Sequence, residues 1–375
     1  MAGNLEIFFQ DLQNRGIIAN YANLENFYRL NSQERIVYLG IDCTAESLHI
    51  GHLFLLIQTV RFVKEGFQVL LVLGGATSKI GDPSDKLKER NQLETSKIVG
   101  YQGKIKTQLN RILIESRIIE KTQFAPLELF YKDNPKLLNS IYQVLVINKQ
   151  ESKENQWKKY LSYIWPFQEN KYQILNNQDW LEKLNFVDFI SQVGRNISIN
   201  YLLAKDWVKQ RLETGLSYLA FSYSLLQAYD FYYLYEKYGC QGQLGGSDQW
   251  GNLTTGLKLI RSYYPHDTNP QNKTFVFNFP LLVDKKGKKF SKSESGEKLI
   301  WLNGEEQEFC DFFRNMPDEQ AQIYIKQFTF LTDKQISQLI ELNKPPQLRI
   351  LQRILYELVN WFNYRELITK KFIGD

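Results

Sequence analysis

Cysteine is scarce in this sequence. Its three copies, Cys43, Cys240 and Cys310, stand far apart and form neither a CxxC pair nor a Cys/His cluster. That leaves no disulfide frame and no zinc site, and it points to a reducing compartment. Histidine is as rare, with three copies. No apolar run approaches the roughly 18 residues that a membrane span needs; the longest are interrupted by Gln58, Arg61 or the glycines after Leu73. An excess of one charge is missing too: 46 basic against 41 acidic residues leave a net +5. A nucleic-acid tail of the histone kind is therefore excluded, and any RNA contact has to be a local basic surface. The opening MAGNLEIFFQDLQNRG reads as an amphipathic helix of the fold, with no secretory signal or Arg/Ser-rich transit peptide before it.

What is present is enough chain, 375 residues at 43% hydrophobic, for one large core and a smaller second one. Ile36 to Asp42 (IVYLGID) is a β-rich run, apolar residues recur at helical spacing from Leu48 to Gly66, and Val69 to Leu73 is a second buried strand. Together these predict a βαβ unit. Tyr218 to Tyr238 reads as a long helix. CQGQLGGSDQWGN then gives a short strand, a glycine turn and a helix from near Ser247, and Thr274 to Val283 is a further strand. Strands alternating with helices predict an α/β fold, a Rossmann-like, mostly parallel nucleotide-binding sheet. Residues 114–172 change in tone, with runs such as NKQESKENQWKK, and read as an inserted, partly helical, solvated segment. After Trp301 the pattern is wholly helical. The expected organisation is a catalytic domain over 1–300, interrupted by the 114–172 insertion, and a C-terminal helical domain over 301–375.

Two segments carry chemistry. TAESLHIGH, Thr44 to His52, directly follows the first strand and holds two of the three histidines around Gly51. A turn that leaves a parallel strand and enters a helix aims backbone N–H groups and the positive end of the helix dipole at an anion. Gly51 permits close approach of a purine or ribose, and the imidazoles can bond phosphate oxygens. The same string also fits a plain helix start with satisfied histidines. The second segment is KFSKS, Lys289 to Ser293, in a loop that also holds Lys285, Lys286 and Lys288. Such a loop either closes on a polyphosphate or is a solvated charge run.

An HIGH string after the first strand and a KMSKS-like loop after the last are paired signatures of class I aminoacyl-tRNA synthetases. YLGIDCTAESLHIGH, GGATSKIGDPS, FSYSLLQAYDF and GGSDQWGN, in that order, resemble the tyrosyl-tRNA synthetases of bacterial and organellar type. The resemblance runs from the N-terminus to about Phe330 and lapses across the insertion. It implies that Tyr38 and Asp230 meet the phenolic hydroxyl of tyrosine, and that Asp82, Tyr223 and Gln227 hold its ammonium. Tyr223, Gln227 and Asp230 fall at i, i+4 and i+7, one polar stripe on an apolar helix. The resemblance further implies an ATP side made by Gly40, Asp42, Gly51, Gly246 and Asp248. Thr44, His49, His52, Lys86, Arg90, Gln249, Lys289 and Lys292 would act around the phosphates, with Lys292 shared between the two sets. The implied substrates are L-tyrosine, ATP carrying Mg²⁺, and tRNA(Tyr); no tightly bound cofactor or resident metal is expected, and the chain is expected to be a homodimer without membrane attachment.

Departures from the family pattern are specific. Leu39 stands where a cysteine is common, Cys43 where proline is usual, Phe290 in place of methionine, and Asp85 beside Lys86 in place of a small residue. With the sequence read to Asp375, the S4-like RNA-binding module common in bacterial relatives is expected to be missing. A smaller nucleotidyltransferase of the HxGH kind would lack the helical end. A tryptophanyl enzyme would not need the Tyr38 and Asp230 pair, and an RNA-binding scaffold that had lost catalysis would not need intact site residues. The expected compartment is the mitochondrial matrix or a bacterial cytoplasm.

Overall fold

The computed structural model describes residues 2–83, 94–113, 135–164, 171–212, 215–265, 268–283, 299–342 and 352. The chain divides into two compact units, the first made of Met1–Ser47, Arg61–Leu109 and Glu169–Leu281, the second of Leu48–Val60, Asn110–Gln168 and Leu282–Asp375.

The first unit is built on six strands: β1 (Asn20–Ala22), β2 (Ile36–Asp42), β3 (Gln68–Gly74), β4 (Tyr172–Asn176), β5 (Gly242–Gly246) and β6 (Phe275–Phe279). They lie in the order β1-β6-β5-β2-β3-β4. β1 runs antiparallel to β6 and every other neighbouring pair is parallel. Central parallel strands are covered on both faces, so they are written as continuous apolar runs, and QVLLVLG in β3 is buried at all but its first residue. From β2 the chain moves on to β3 on one side, whereas β5 and β6 lie on the other. That reversal opens a crevice at the carboxyl ends of β2 and β5, where ligands of such sheets bind. Gly40, late in β2, is exposed, and nothing stands within 4 Å of where its Cβ would be.

The helix Tyr218–Tyr238 starts at Ser217, whose side chain accepts the Ala220 N–H, and ends at Gly239 in the left-handed region at φ 66°. There the N–H groups of Gly239 and Cys240 close onto Tyr235 and Leu234. It packs along the helix Trp250–Tyr263 over a core that includes Tyr38, Leu70, Phe231, Leu234 and Leu253.

The predicted β2 and Tyr218–Tyr238 coincide with the observed elements. The strand expected over Thr274 to Val283 stops at Phe279, because Pro280 has no N–H to give the ladder. The helix expected near Ser247 begins at Trp250, after a 3₁₀ turn at Ser247–Gln249, and the one expected from Leu48 begins at Ile50. β1 and β4 were not anticipated. β1 is three residues long and exists through its pairing with Asn278, Phe277 and Val276.

In the second unit the described residues after Trp301 form the helices Glu306–Arg314, Asp318–Phe328 and Asp333–Leu342. The described part of 114–172 in this unit forms the helices Pro135–Val144 and Lys153–Ile164. Both carry an apolar side: Leu137, Ile141 and Tyr160 are buried, and Pro135–Val144 packs on Asp333–Leu342.

Candidate active site

In the first unit the carboxyl ends of β2, β3 and β4 each deliver a polar residue to one network. Asp42 closes β2. Its Oδ2 accepts from the Tyr223 hydroxyl at 3.0 Å, and its Oδ1 accepts from the Thr77 hydroxyl at 2.9 Å. Thr77 lies in the turn after β3, and that turn comes this close only because residue 74 is glycine. A Cβ there would sit 2.1 Å from Asp42 Oδ1 and 2.6 Å from Thr77 Oγ1. Asn177, one residue past β4, donates to Thr77 Oγ1 at 3.1 Å and to Asp230 Oδ2 at 3.0 Å, while its own Oδ1 accepts the Ala76 N–H at 2.9 Å. Trp180 completes the hold on Asp230, its indole N–H reaching Oδ1 at 2.7 Å.

Asp230 is thus a carboxylate only 4% exposed whose two oxygens are fixed by neutral donors. Burial pushes its pKa up to about 7 against the pull of those two hydrogen bonds, and the charge of Asp42 adds to the rise. Beside it, Tyr38 is 1% exposed, and its hydroxyl is buried without a hydrogen-bond partner. Burial, then the Asp230 charge, raise the Tyr38 phenol well above its ordinary value. An unpartnered buried hydroxyl is costly, and a firmly oriented carboxylate next to it has lone pairs to spare. A ligand hydroxyl can satisfy both at once, donating to Asp230 and accepting from Tyr38.

A second focus lies two turns back on the same helix. The Tyr223 phenol is raised by burial first and then by the charges of Asp42, Asp82 and Asp230. Three carboxylates around one buried ring make a region of negative potential that suits an ammonium. Gln249 donates to Asp82 Oδ2 at 2.7 Å and accepts from Asn252 at 3.2 Å, so the residue expected near the phosphates is tied to the residue expected at the amine. Gln227 is half-buried on the same helix. Gly246 ends β5, where a Cβ would meet Asp248 Oδ1 at 2.5 Å. Thr44 is half-buried in the turn after β2. The preceding Cys43 donates its N–H to Ser78 Oγ at 2.7 Å, and burial pushes its thiol up to about 12.

The histidine motif belongs to the second unit. His49 Nδ1 accepts the Gly51 N–H at 3.1 Å, and His52 Nδ1 accepts the His49 N–H at 3.2 Å. A ring nitrogen that accepts has no proton, so in the neutral rings both protons sit on Nε2. The two rings are 3.8 Å apart, and burial pushes His52 down to about 4. A Cβ on Gly51 would press on the His49 ring at 3.0 Å, which gives the glycine between the histidines its reason. The chain on either side of the lysine loop is anchored here. Ile50 N–H donates to Ile300 O at 2.9 Å and Leu302 N–H to Leu48 O at 2.8 Å. Val283 exchanges hydrogen bonds with the Tyr324 hydroxyl at 3.2 and 3.1 Å. Lys86, Arg90, Lys289 and Lys292 lie outside the described residues.

The structure therefore gathers Tyr38, Asp42, Asp82, Tyr223, Asp230 and Gln249 in the first unit, and His49, Gly51 and His52 in the second. Asn177, Trp180 and Thr77 were not foreseen. The signal was available in NNQDW, Asn176 to Trp180, a polar and aromatic run at the carboxyl end of a strand. That run carries no periodicity of its own, and β4 starts at Tyr172, the last residue of the charge-rich 114–172 segment.

Known proteins share this architecture. The sequence model described as "tRNA synthetases class I (W and Y)" matches residues 30–134 and 144–370. The tyrosine–tRNA ligase of Geobacillus stearothermophilus is 36% identical over 93% of this chain and 71% of its own length. Tyrosine–tRNA ligase 1 of Bacillus subtilis strain 168 is 37% identical over 96% and 74%. A C-terminally truncated mitochondrial tyrosyl-tRNA synthetase of Aspergillus nidulans superposes with a TM-score of 0.70 at 26% identity, covering 99% of this chain and 95% of that one. With the parallel sheet, its open crevice and the HIGH motif in place, the chain belongs to the class I tRNA synthetases for tryptophan and tyrosine.

Proposed function

We propose that this chain is a tyrosine–tRNA ligase, which condenses L-tyrosine with ATP to tyrosyl-adenylate and pyrophosphate and passes the tyrosyl group to the 3′ end of tRNA(Tyr). The observation that carries the choice of tyrosine within this family is the pair formed by Asp230, held open by Asn177 and Trp180, and the partnerless Tyr38 hydroxyl. An indole offers no hydroxyl to either.

In this reading Asp82, Tyr223 and Gln227 hold the substrate ammonium, and Asp42 fixes Tyr223 for that task. Gly40, Asp42, Gly51, Gly246 and Asp248 serve the nucleotide. Thr44, His49, His52, Lys86, Arg90, Gln249, Lys289 and Lys292 act around the phosphates, with Mg²⁺ arriving as part of the ATP complex. The tyrosine carboxylate is already ionised and attacks the α-phosphorus in line, so no general base is required. Catalysis is then positioning together with stabilisation of charge on the departing pyrophosphate. The Nε2 protons of His49 and His52 suit that second task.

The working form is a homodimer. Support comes from a face of the first unit where Phe186, Val187, Ile190, Tyr218 and Leu219 are all exposed. Phe186 and Tyr218 line an apolar cleft of about 290 Å³ together with Leu181, Leu184 and Leu226 among others. An apolar patch of this kind is a normal subunit contact and an unusual free surface. Among the described residues no helix is long and apolar enough to cross a membrane. A bacterial cytoplasm or mitochondrial matrix agrees with the sources of the relatives. ATP–pyrophosphate exchange measured across the amino acids tests the assignment. It should depend on tyrosine, with phenylalanine and tryptophan inactive, and exchange driven best by tryptophan would overturn it.

A further inference from the structure

Two methionines and three cysteines are all the sulfur in this chain, against 22 tyrosines and seven tryptophans. With so little thioether and thiol, the side chains that most readily give up a single electron are phenols and indoles. Their placement is ordered. Trp180, the indole bonded to Asp230, stacks on Tyr233 with centroids 4.7 Å apart and planes 14° from parallel. Tyr233 lies 6.5 Å from Tyr229, Tyr229 lies 5.9 Å from Tyr232, and Tyr232 lies 4.9 Å from Tyr263 on the neighbouring helix. Positions 229, 232 and 233 share one stripe of their helix through i+3 and i+4 spacing. The series begins at a ring 5% exposed and ends at one 37% exposed.

Half-buried sites favour tyrosine over phenylalanine in any case, because the ring packs and the hydroxyl stays wet. That preference does not explain why the series is continuous and starts at the indole of the site. The core between β6 and the helix Ala2–Asn14 is built mainly on phenylalanine: Phe8, Phe27, Phe62, Phe275 and Phe277 make the same kind of contacts, and Tyr21 and Tyr28 join them through Phe9 and Phe27.

We infer that the rings Trp180–Tyr233–Tyr229–Tyr232–Tyr263 form a relay that carries an electron hole from the site to the surface and so protects Trp180 from oxidation. The oxidant is a small one-electron species of the carbonate radical class. It takes one electron from the Trp180 indole and is reduced to carbonate. The indole radical cation is a strong acid at its nitrogen, and its proton passes along the existing 2.7 Å hydrogen bond to Asp230 Oδ1. Tyr233 then supplies one electron to Trp180, which recovers its proton from Asp230, while the Tyr233 phenol releases its own proton to water. Each later exchange moves one electron inward and one hole outward, with the newly oxidised phenol losing a proton to water and the reduced one regaining one. At Tyr263, whose hydroxyl donates to Gln192 O at 2.6 Å, a soluble thiol returns an electron and a proton and leaves as a thiyl radical. Asp230 suits the first step because burial makes it more basic than an ordinary carboxylate. Without the relay, the indole radical persists until oxygen adds to it, and Asp230 then loses one of its two donors.

The test uses the full chain, free of substrates, and Tyr233→Phe, which keeps the ring and its stacking but removes the ionisable hydroxyl. Both are exposed to photochemically generated carbonate radical, and oxygen adducts and cross-linked tyrosines are located by peptide mass spectrometry. In the unaltered chain the marks should collect at Tyr263 and Tyr232 with little at Trp180. Tyr233→Phe should show a several-fold rise at Trp180 and a matching fall at Tyr263, and its ATP–pyrophosphate exchange before exposure should be unchanged. Tyr232→Phe should instead stop the marks at Tyr229 and Tyr233. Equal Trp180 oxidation in the unaltered chain and Tyr233→Phe, or marks that follow each ring's own exposure in all three proteins, would overturn the relay. The relay rests on the aromatic series and the Trp180–Asp230 hydrogen bond and not on the reaction proposed above, so its marking pattern appearing without tyrosine-dependent exchange would remove the proposed function and leave the relay standing.

Discussion

Replacing Asp230 by asparagine should make the protein more stable and nearly useless. The carboxyl holds its proton up to about pH 7 in the folded chain, whereas an unfolded one releases it near pH 4. Between those values the folded state binds the additional proton, so stability declines as pH rises from 4 to 7, and above 7 the full cost of the buried charge is present. The gap between the two values corresponds to about 4 kcal/mol. Asparagine removes that cost but brings one of its own. Asp230 accepts at both oxygens, from Trp180 and from Asn177, and an amide has one oxygen, so one donor must face an NH₂ group. That conflict costs about 1–3 kcal/mol. The balance is a gain of about 1–3 kcal/mol at pH 8, seen as a rise of a few degrees in Tm. At pH 5 the charge cost shrinks to about 1–2 kcal/mol, and the gain should vanish or reverse. Urea and thermal denaturation of the ligand-free chain at pH 8 and pH 5 measure both. Loss of the charged acceptor should also lower kcat/KM for tyrosine in pyrophosphate exchange by roughly tenfold to a hundredfold. An asparagine variant less stable than the parent at pH 8, or equally stabilised at both pH values, would refute the reasoning.

Tyr38→Phe deletes a buried hydroxyl that has no partner, so the empty protein should gain about 1 kcal/mol in urea denaturation. Its preference for tyrosine over phenylalanine in pyrophosphate exchange should fall roughly tenfold or more. Gly74→Ala places a methyl 2.1 Å from Asp42 Oδ1, in a network whose members are already bonded to each other. It should cost about 1–3 kcal/mol and weaken tyrosine binding in equilibrium dialysis, and unaltered binding would show that Asp42 is free to move. Val146 follows the helix Pro135–Val144 with φ at 53°, a position where a branched residue is strained. Val146→Gly should stabilise the second unit by about 1 kcal/mol without changing amino-acid activation.

The long elements were legible because their signals are local. IVYLGID and QVLLVLG are apolar throughout, as buried parallel strands are, and Tyr218–Tyr238 carries a serine cap and a terminal glycine in its own sequence. β1 was not legible, since NYA has no pattern of its own and is a strand only because β6 offers it an edge. The site divided along the same line. Tyr223, Gln227 and Asp230 stand at helical spacing and could be read as one face. Asn177 lies 53 residues from the Asp230 it holds, and Thr77 lies 35 from Asp42, so both depend on which strand ends the sheet brings together. The buried residues of Pro135–Val144 and Lys153–Ile164 were not legible because charged runs such as NKQESKENQWKK dominate the segment, and charge says nothing about the buried side.

The way Asp230 is held bears on what the site can discriminate. A cationic partner would have lowered its pKa, fixed the carboxylate as a paired ion and used the lone pairs a ligand needs. Two neutral donors orient the oxygens without neutralising them, so the group keeps an unsatisfied demand for a proton donor. Tyr38 adds an unsatisfied demand for an acceptor in the same buried place. Both demands cost stability in the empty protein, and only a ligand carrying a hydroxyl at that depth relieves both. A benzyl side chain leaves both groups unpartnered and also shuts out the water that could have served them. Selectivity of this kind is stored in the unliganded fold as instability, which is why the substitutions that remove it should stabilise the chain.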